Sequence, residues 1–107
     1  CPHCRVQEFP DESLLKELGI PLSDKGLFYK GEGCKRCDFT GFIGRTGVFE
    51  LLLIDDTIRK LIDERASSVA IKEYAVRNGM TTMMEDALNK ARKGEVSLAE
   101  ISSTIQV

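Results

Sequence analysis

Apolar residues change their spacing along this chain near position 54, from short irregular groups to a helical period. Before that point Leu14, Leu15 and Leu18 fall at i, i+1 and i+4. Asp11 can cap a helix ahead of them, and Gly19 followed by Pro21 ends it, which predicts a short helix over 11–18. LFYK at Leu27–Lys30 follows an SDKG turn and predicts a short strand. Val48–Ile54, VFELLLI, is the most strand-like run, although a short apolar stretch of this kind also suits a buried helix.

From Asp55 onward the apolar residues form stripes. Asp55 or Asp56 can cap a helix carrying Ile58, Leu61 and Ile62. Ser67 or Ser68 can open the next, with Ala70, Ile71, Tyr74 and Ala75, and Gly79 stops it. Thr82-x-x-Glu85 and Ser97-x-x-Glu100 have the form of capping boxes. The first precedes Met84, Ala87, Leu88 and Ala91, spaced i, i+3, i+4 and i+7, and ends at Gly94. The second precedes Leu98, Ile101 and Ile105. The pattern predicts an α+β chain: a small module with short strands over 1–54, then a compact bundle of about four short helices over 55–107.

Composition limits what this arrangement can bury. The chain has 107 residues, 42% of them apolar and 30% charged, with seven aromatics and no Trp. That is one ordinary domain or two very small ones, and a core this size gains from a metal or a neighbouring domain. A net charge of −2 gives no overall attraction to nucleic acid or an anionic membrane. No apolar run approaches the ~20 residues of a membrane span. With neither an initiator Met nor a signal peptide, the chain reads as a fragment of something larger.

The candidate chemistry lies in four cysteines, Cys1, Cys4, Cys34 and Cys37, spaced C-x2-C, 29 residues, C-x2-C. The opening CPHC alone has two readings. A thiol–disulfide oxidoreductase would place such a run at a helix start, where dipole and imidazole stabilise a thiolate. Two C-x2-C turns facing each other instead make a tetrahedral site of four thiolates. The redox reading needs a long amphipathic helix after Cys4. RVQEFPDE contains Pro10 and no helical stripe, and Cys34 and Cys37 would have no role. The spacing therefore favours metal, with His3 as a solvent-facing knuckle residue. Four thiolates close the coordination shell, so the zinc is expected to be structural. Binding of ~10–16 kcal/mol at such sites couples metal to fold.

Other features carry less. Lys35, Arg36 and Arg45 stand beside Glu32, Asp38 and Glu50, without the basic stripe of a nucleic-acid surface. The glycines at 31, 33, 41, 44 and 47 lack a G-x-x-x-x-G-K-[ST] phosphate loop and suit tight turns and close approach of backbone to sulfur or to a packed strand. Met84 belongs to a core stripe, with Met80 and Met83 at the entry to its helix. Asp55, Asp56, Asp63 and Glu64 read as caps and solvated surface. No catalytic constellation can be assembled around the single His.

GCKRCDFTGFIGRTGVFELL, residues 33–52, closely resembles the segment G-C-x-x-C-x-x-T-G-[YF]-x-G-R-x-G-[IVL]-[FY]-E-L-L of the secretion ATPase superfamily. This superfamily includes the type II secretion and type IV pilus assembly ATPases. CPHC and DESLLKELGI are similar to its first cysteine pair and the short helix of its metal-binding arm. ASSVAIKEYAVRNGMTTMMEDALNKARKGEVSLAEI is similar to its last helices. The resemblance implies a cytoplasmic, Mg-ATP-hydrolysing hexameric ring, peripheral to the inner membrane, that acts on an inner-membrane platform protein to drive a pilus or pseudopilus. This chain would be its non-catalytic C-terminal part. ATP and Mg2+ would bind upstream, and only Cys1, Cys4, Cys34 and Cys37 would be site residues, as zinc ligands. Partners would be the upstream core and neighbouring ring subunits, with no nucleic acid and no membrane insertion. Rival expectations are a stand-alone zinc-dependent adaptor binding protein or nucleic acid, and a thiol–disulfide oxidoreductase.

Overall fold

The computed structural model describes residues 1–21 and 28–105, so the SDKG turn and Leu27 lie outside the described residues. The architecture is α+β, as the pattern predicts. In chain order the elements are β1 (Arg5–Glu8), α1 (Glu12–Leu18), β2 (Phe28–Gly31), α2 (Asp56–Asp63), α3 (Ser68–Arg77), α4 (Met83–Arg92) and α5 (Leu98–Thr104), with a 3₁₀ turn at Lys35–Cys37 between β2 and α2.

Each helix starts at a residue whose side chain takes up an orphan backbone N–H. Asp11 accepts from Leu14, Asp55 from Ile58, Ser67 from Ala70, Thr82 from Glu85 and Ser97 from Glu100. These short polar side chains compete well for the unpaired donors of a first turn, so the five starts are set locally. Glu85 and Glu100 add negative charge where the helix dipole is positive. Gly19 closes α1 in the left-handed region at φ 71°.

β1 was not anticipated from the sequence. RVQE pairs antiparallel with β2, Arg5 opposite Gly31 and Glu8 opposite Phe28, and its positions alternate exposed and half-buried. Four residues carry little periodic signal, and their partner lies far along the chain.

The main core draws on both sides of position 54. Leu15, Leu18 and Ile20 from α1 and its exit, and Phe28 from β2, pack with Ala87, Leu88 and Ala91 of α4 and Leu98 and Ile101 of α5. Leu15, Phe28 and Leu98 are completely buried. The helices otherwise pair off. α2 packs on α3, with Ile58 and Ala75 buried, and Asp55 both caps α2 and accepts a 2.9 Å hydrogen bond from the Tyr74 hydroxyl. No residue of α2 or α3 belongs to the main core.

Val48–Ile54 corrects the expectation of a strand. The segment is neither strand nor helix, and its large apolar residues Phe49, Leu51, Leu52, Leu53 and Ile54 are exposed. A strand exists only through its hydrogen-bonded neighbour, and none of the described residues runs beside this one. Its start, with the preceding Gly47, is tied to α4 instead by one backbone and two side-chain groups of that helix. Phe49 N–H donates to Asp86 Oδ2 at 2.9 Å, Met83 N–H donates to Glu50 Oε1 at 3.1 Å, and Lys90 donates to the Gly47 carbonyl.

Candidate metal centre

The β1–β2 hairpin brings the two cysteine pairs together. Cys1–Cys4 turns directly into β1, and β2 leads through Glu32 and Gly33 to Cys34. Glu32 N–H extends the ladder by donating to the Cys4 carbonyl at 3.2 Å. The second knuckle is a single 3₁₀ turn closed by Asp38 and Phe39, both at positive φ (54° and 61°). Phe39 N–H bonds the Cys34 carbonyl at 2.8 Å, and the Thr40 hydroxyl bonds the Cys37 carbonyl at 2.7 Å.

All four expected ligand residues converge. The Sγ atoms of Cys1, Cys4, Cys34 and Cys37 lie within 4.8 Å of one another, and none is in a disulfide. Cys1 to Cys34 and Cys4 to Cys37 are 3.8 Å apart, and Cys34 to Cys37 is 3.7 Å. A tetrahedron with metal–sulfur bonds of ~2.3 Å has edges of ~3.8 Å, so the thiols are spaced for one metal ion. His3 is outside this group, exposed, with both ring nitrogens 3.3 Å from Nη1 of Arg36.

Backbone N–H groups aim at the sulfurs. Gly33 donates to Cys4 at 3.3 Å, Cys34 to Cys37 at 3.3 Å and Gly41 to Cys37 at 3.2 Å. Such donors offset the negative charge of clustered thiolates and fix their orientation. Burial pushes the Cys37 thiol up, but the N–H groups of Cys34 and Gly41, aided by the Cys34 and Cys4 thiols, outweigh it and bring it to about 6. Cys4 is raised, by burial first, against the lowering effect of the Gly33 N–H.

Two glycines make this approach possible. Gly41 sits at φ 86°, and a Cβ there would lie 2.7 Å from the Gly31 carbonyl oxygen. A side chain on Gly31 would in turn meet the Gly41 backbone. The knuckles therefore touch backbone to backbone, which matches the sequence reading of these glycines. The contacts of Glu50, Asp86 and Lys90 were not foreseen, because they join residues more than thirty positions apart without a local motif.

Among the described residues no helix is long and apolar enough to cross a membrane. The sequence profile of the family described as "Type II/IV secretion system protein" matches residues 1–103. Over 103 residues the chain is 44% identical to the type IV pilus assembly ATPase PilB of Thermus thermophilus, covering 94% of this chain and 12% of that protein. It is 33% identical over 101 residues to the type II secretion system ATPase E of Vibrio cholerae, covering 94% of this chain and 20% of that protein. PilB of Myxococcus xanthus is 32% identical over 104 residues, covering 94% of this chain and 18% of that protein. The chain thus spans between an eighth and a fifth of the length of these relatives. With the family match running across the knuckles and through α5, this chain belongs to the type II/IV secretion system protein family.

Proposed function

We propose that this chain is the non-catalytic C-terminal part of a hexameric secretion or pilus-extension ATPase. Residues 1–54 form its zinc-binding subdomain and 55–107 its helical subdomain. Cys1, Cys4, Cys34 and Cys37 hold a structural zinc ion. The observation that carries the reading is the convergence of four sulfurs within 4.8 Å of one another in a chain of this family. Zinc suits four thiolates and has no geometric preference that this arrangement would violate. Bound there, it would cross-link the two knuckles of a hairpin too small to be stable alone.

The chain's own contribution is mechanical. The knuckles anchor β1 and β2, β2 packs on α4 and α5, and Gly47–Glu50 is fastened to α4. In a ring motor this block transmits nucleotide-driven motion of the upstream core toward an inner-membrane platform protein at the cytoplasmic face. ATP and Mg2+ bind in that upstream core. The relatives named as ATPases support this placement.

Elemental analysis of protein purified without chelator, with far-UV CD before and after a strong chelator, tests the site. One zinc per chain, with structure lost on its removal, is expected. No metal, with Cys1 and Cys4 titrating as a reversible disulfide, would overturn it. In the full-length protein, replacing the cysteines should abolish secretion or pilus extension with ATP hydrolysis intact. Equal loss of hydrolysis would replace the coupling role with one in folding or ring assembly.

A further inference from the structure

The four sulfurs of the metal centre are not equivalent. Cys37 is buried and accepts two N–H bonds, from Cys34 at 3.3 Å and from Gly41 at 3.2 Å. Cys4 accepts one, from Gly33 at 3.3 Å. Cys34 has only a share of the Cys37 N–H, which its own carbonyl takes at 3.2 Å. Cys1 has no N–H donor among the described residues, and Pro2, next in the chain, has no N–H to give. A thiolate stabilised by N–H donors is the weaker nucleophile, so reactivity falls from Cys1 and Cys34 to Cys4 and then Cys37. The two reactive sulfurs stand on opposite knuckles, 3.8 Å apart.

We propose that Cys1 and Cys34 are a site of oxidation by hydrogen peroxide, closing to a disulfide that frees the metal and takes over its cross-link between the knuckles. This rests on the reading of the four cysteines as a zinc site. One of the two thiolates attacks the peroxide O–O bond, becoming a sulfenic acid and releasing hydroxide. The other attacks that sulfur and expels a second hydroxide. The two sulfurs give up two electrons, and the peroxide takes them up in the two hydroxide ions. Cys4 and Cys37 are left as the remaining thiolates, too few for a closed tetrahedral shell. Cys37, 3.7 Å from Cys34, is the poorer partner. It is buried, and joining it to Cys34 would break the Cys34 N–H bond inside their own turn. A Cys1–Cys34 bond keeps the β1–β2 hairpin closed, so oxidation removes the metal and spares the hairpin, whereas chelation loses both.

The experiment uses the full-length polypeptide, analysed for zinc and then treated with hydrogen peroxide in stoichiometric steps. A chromophoric chelator too weak to strip the untreated protein reads the metal released. Free thiols are alkylated at each step, disulfides are mapped by peptide mass spectrometry, and amide exchange is followed across Arg5–Glu8 and Phe28–Gly31. A Cys1–Cys34 disulfide is expected first, with zinc released in step with it and recovered on adding dithiothreitol and zinc. Exchange in the hairpin should stay slow after oxidation and become fast after a strong chelator. Any other pair closing first, or thiols and metal that survive excess peroxide, would overturn the proposal. So would hairpin protection lost as the disulfide forms. Zinc missing before any peroxide is added would overturn the functional reading, and this proposal with it.

Discussion

Arg5 and Gly94, 89 positions apart, are joined by a 3.1 Å hydrogen bond from the guanidinium Nη1 to the backbone carbonyl. The same guanidinium lies 5.3 Å from the Tyr29 ring centroid. Arg5 follows directly on Cys4, and Gly94 ends the turn after α4, so one side chain ties the knuckle hairpin to the α4–α5 corner. Arg5→Ala should lower stability by about 1 kcal/mol, the scale of an exposed charge-assisted bond with a cation–π contact. Denaturant midpoints would show the loss. Zinc stoichiometry should not change.

Around the sulfurs, ligand and support should separate by degree. Cys37→Ser removes a thiolate and should cut metal affinity by well over ~100-fold, beyond the ~10–100-fold of outer-shell losses. Gly41→Ala should fall in that outer-shell range, since its Cβ strains the φ 86° backbone and crowds the Gly31 carbonyl. His3→Ala should leave affinity unchanged. Competition with a chromophoric chelator ranks the three.

Leu15→Ala opens a cavity where α1 meets the last helices and should cost ~2–5 kcal/mol. Because Leu15 shares its core with Leu98 and Ile101, probes on α1 and on α5 should report one coincident transition. Two separate transitions would show that the shared core does not couple the ends of the chain.

Acid should weaken the fold through three carboxylates. Asp11 is held below the usual range by the Leu14 N–H, Asp55 by the Ile58 N–H and the Tyr74 hydroxyl, and Asp86 by the Phe49 N–H and Lys90. Depressed folded-state values mean that the unfolded chain binds protons first as pH falls. Their stabilisation is therefore full above the unfolded value near ~3.9 and is lost as pH drops through the lower folded values. Urea midpoints at pH 7, 5 and 3 should show this fall, and Asp55→Asn should shrink it. An undiminished acid response in that variant would remove Asp55 from the account.

Local chemistry was the legible part of this sequence. The starts of all five helices could be read because a cap is a contract between residues three apart: Asp11 with Leu14, Ser67 with Ala70, Ser97 with Glu100. The cysteine cluster could be read because two-residue spacing already turns both sulfurs to one side. β1 and Val48–Ile54 could not, and for the same reason. A strand is defined by its neighbour; RVQE has one in β2 that its own four residues do not announce, and VFELLLI has the composition without a neighbour among the described residues. The shared core across position 54 escaped for a related cause. The helical stripes show that each face is buried, without showing that those of α4 and α5 close on Leu15 and Phe28.

The α2–α3 pair leaves one continuous core and returns to it, with Leu15 and Phe28 before the excursion and Ala87 and Leu98 after it. Its own cohesion comes from Ile58, Ala75 and the Asp55–Tyr74 bond. Such an insert behaves like a bay window: it can be lengthened, trimmed or refaced while the wall behind it stands. Variation in this stretch among related chains would thus alter what the molecule shows to its surroundings without disturbing the frame that holds the knuckles.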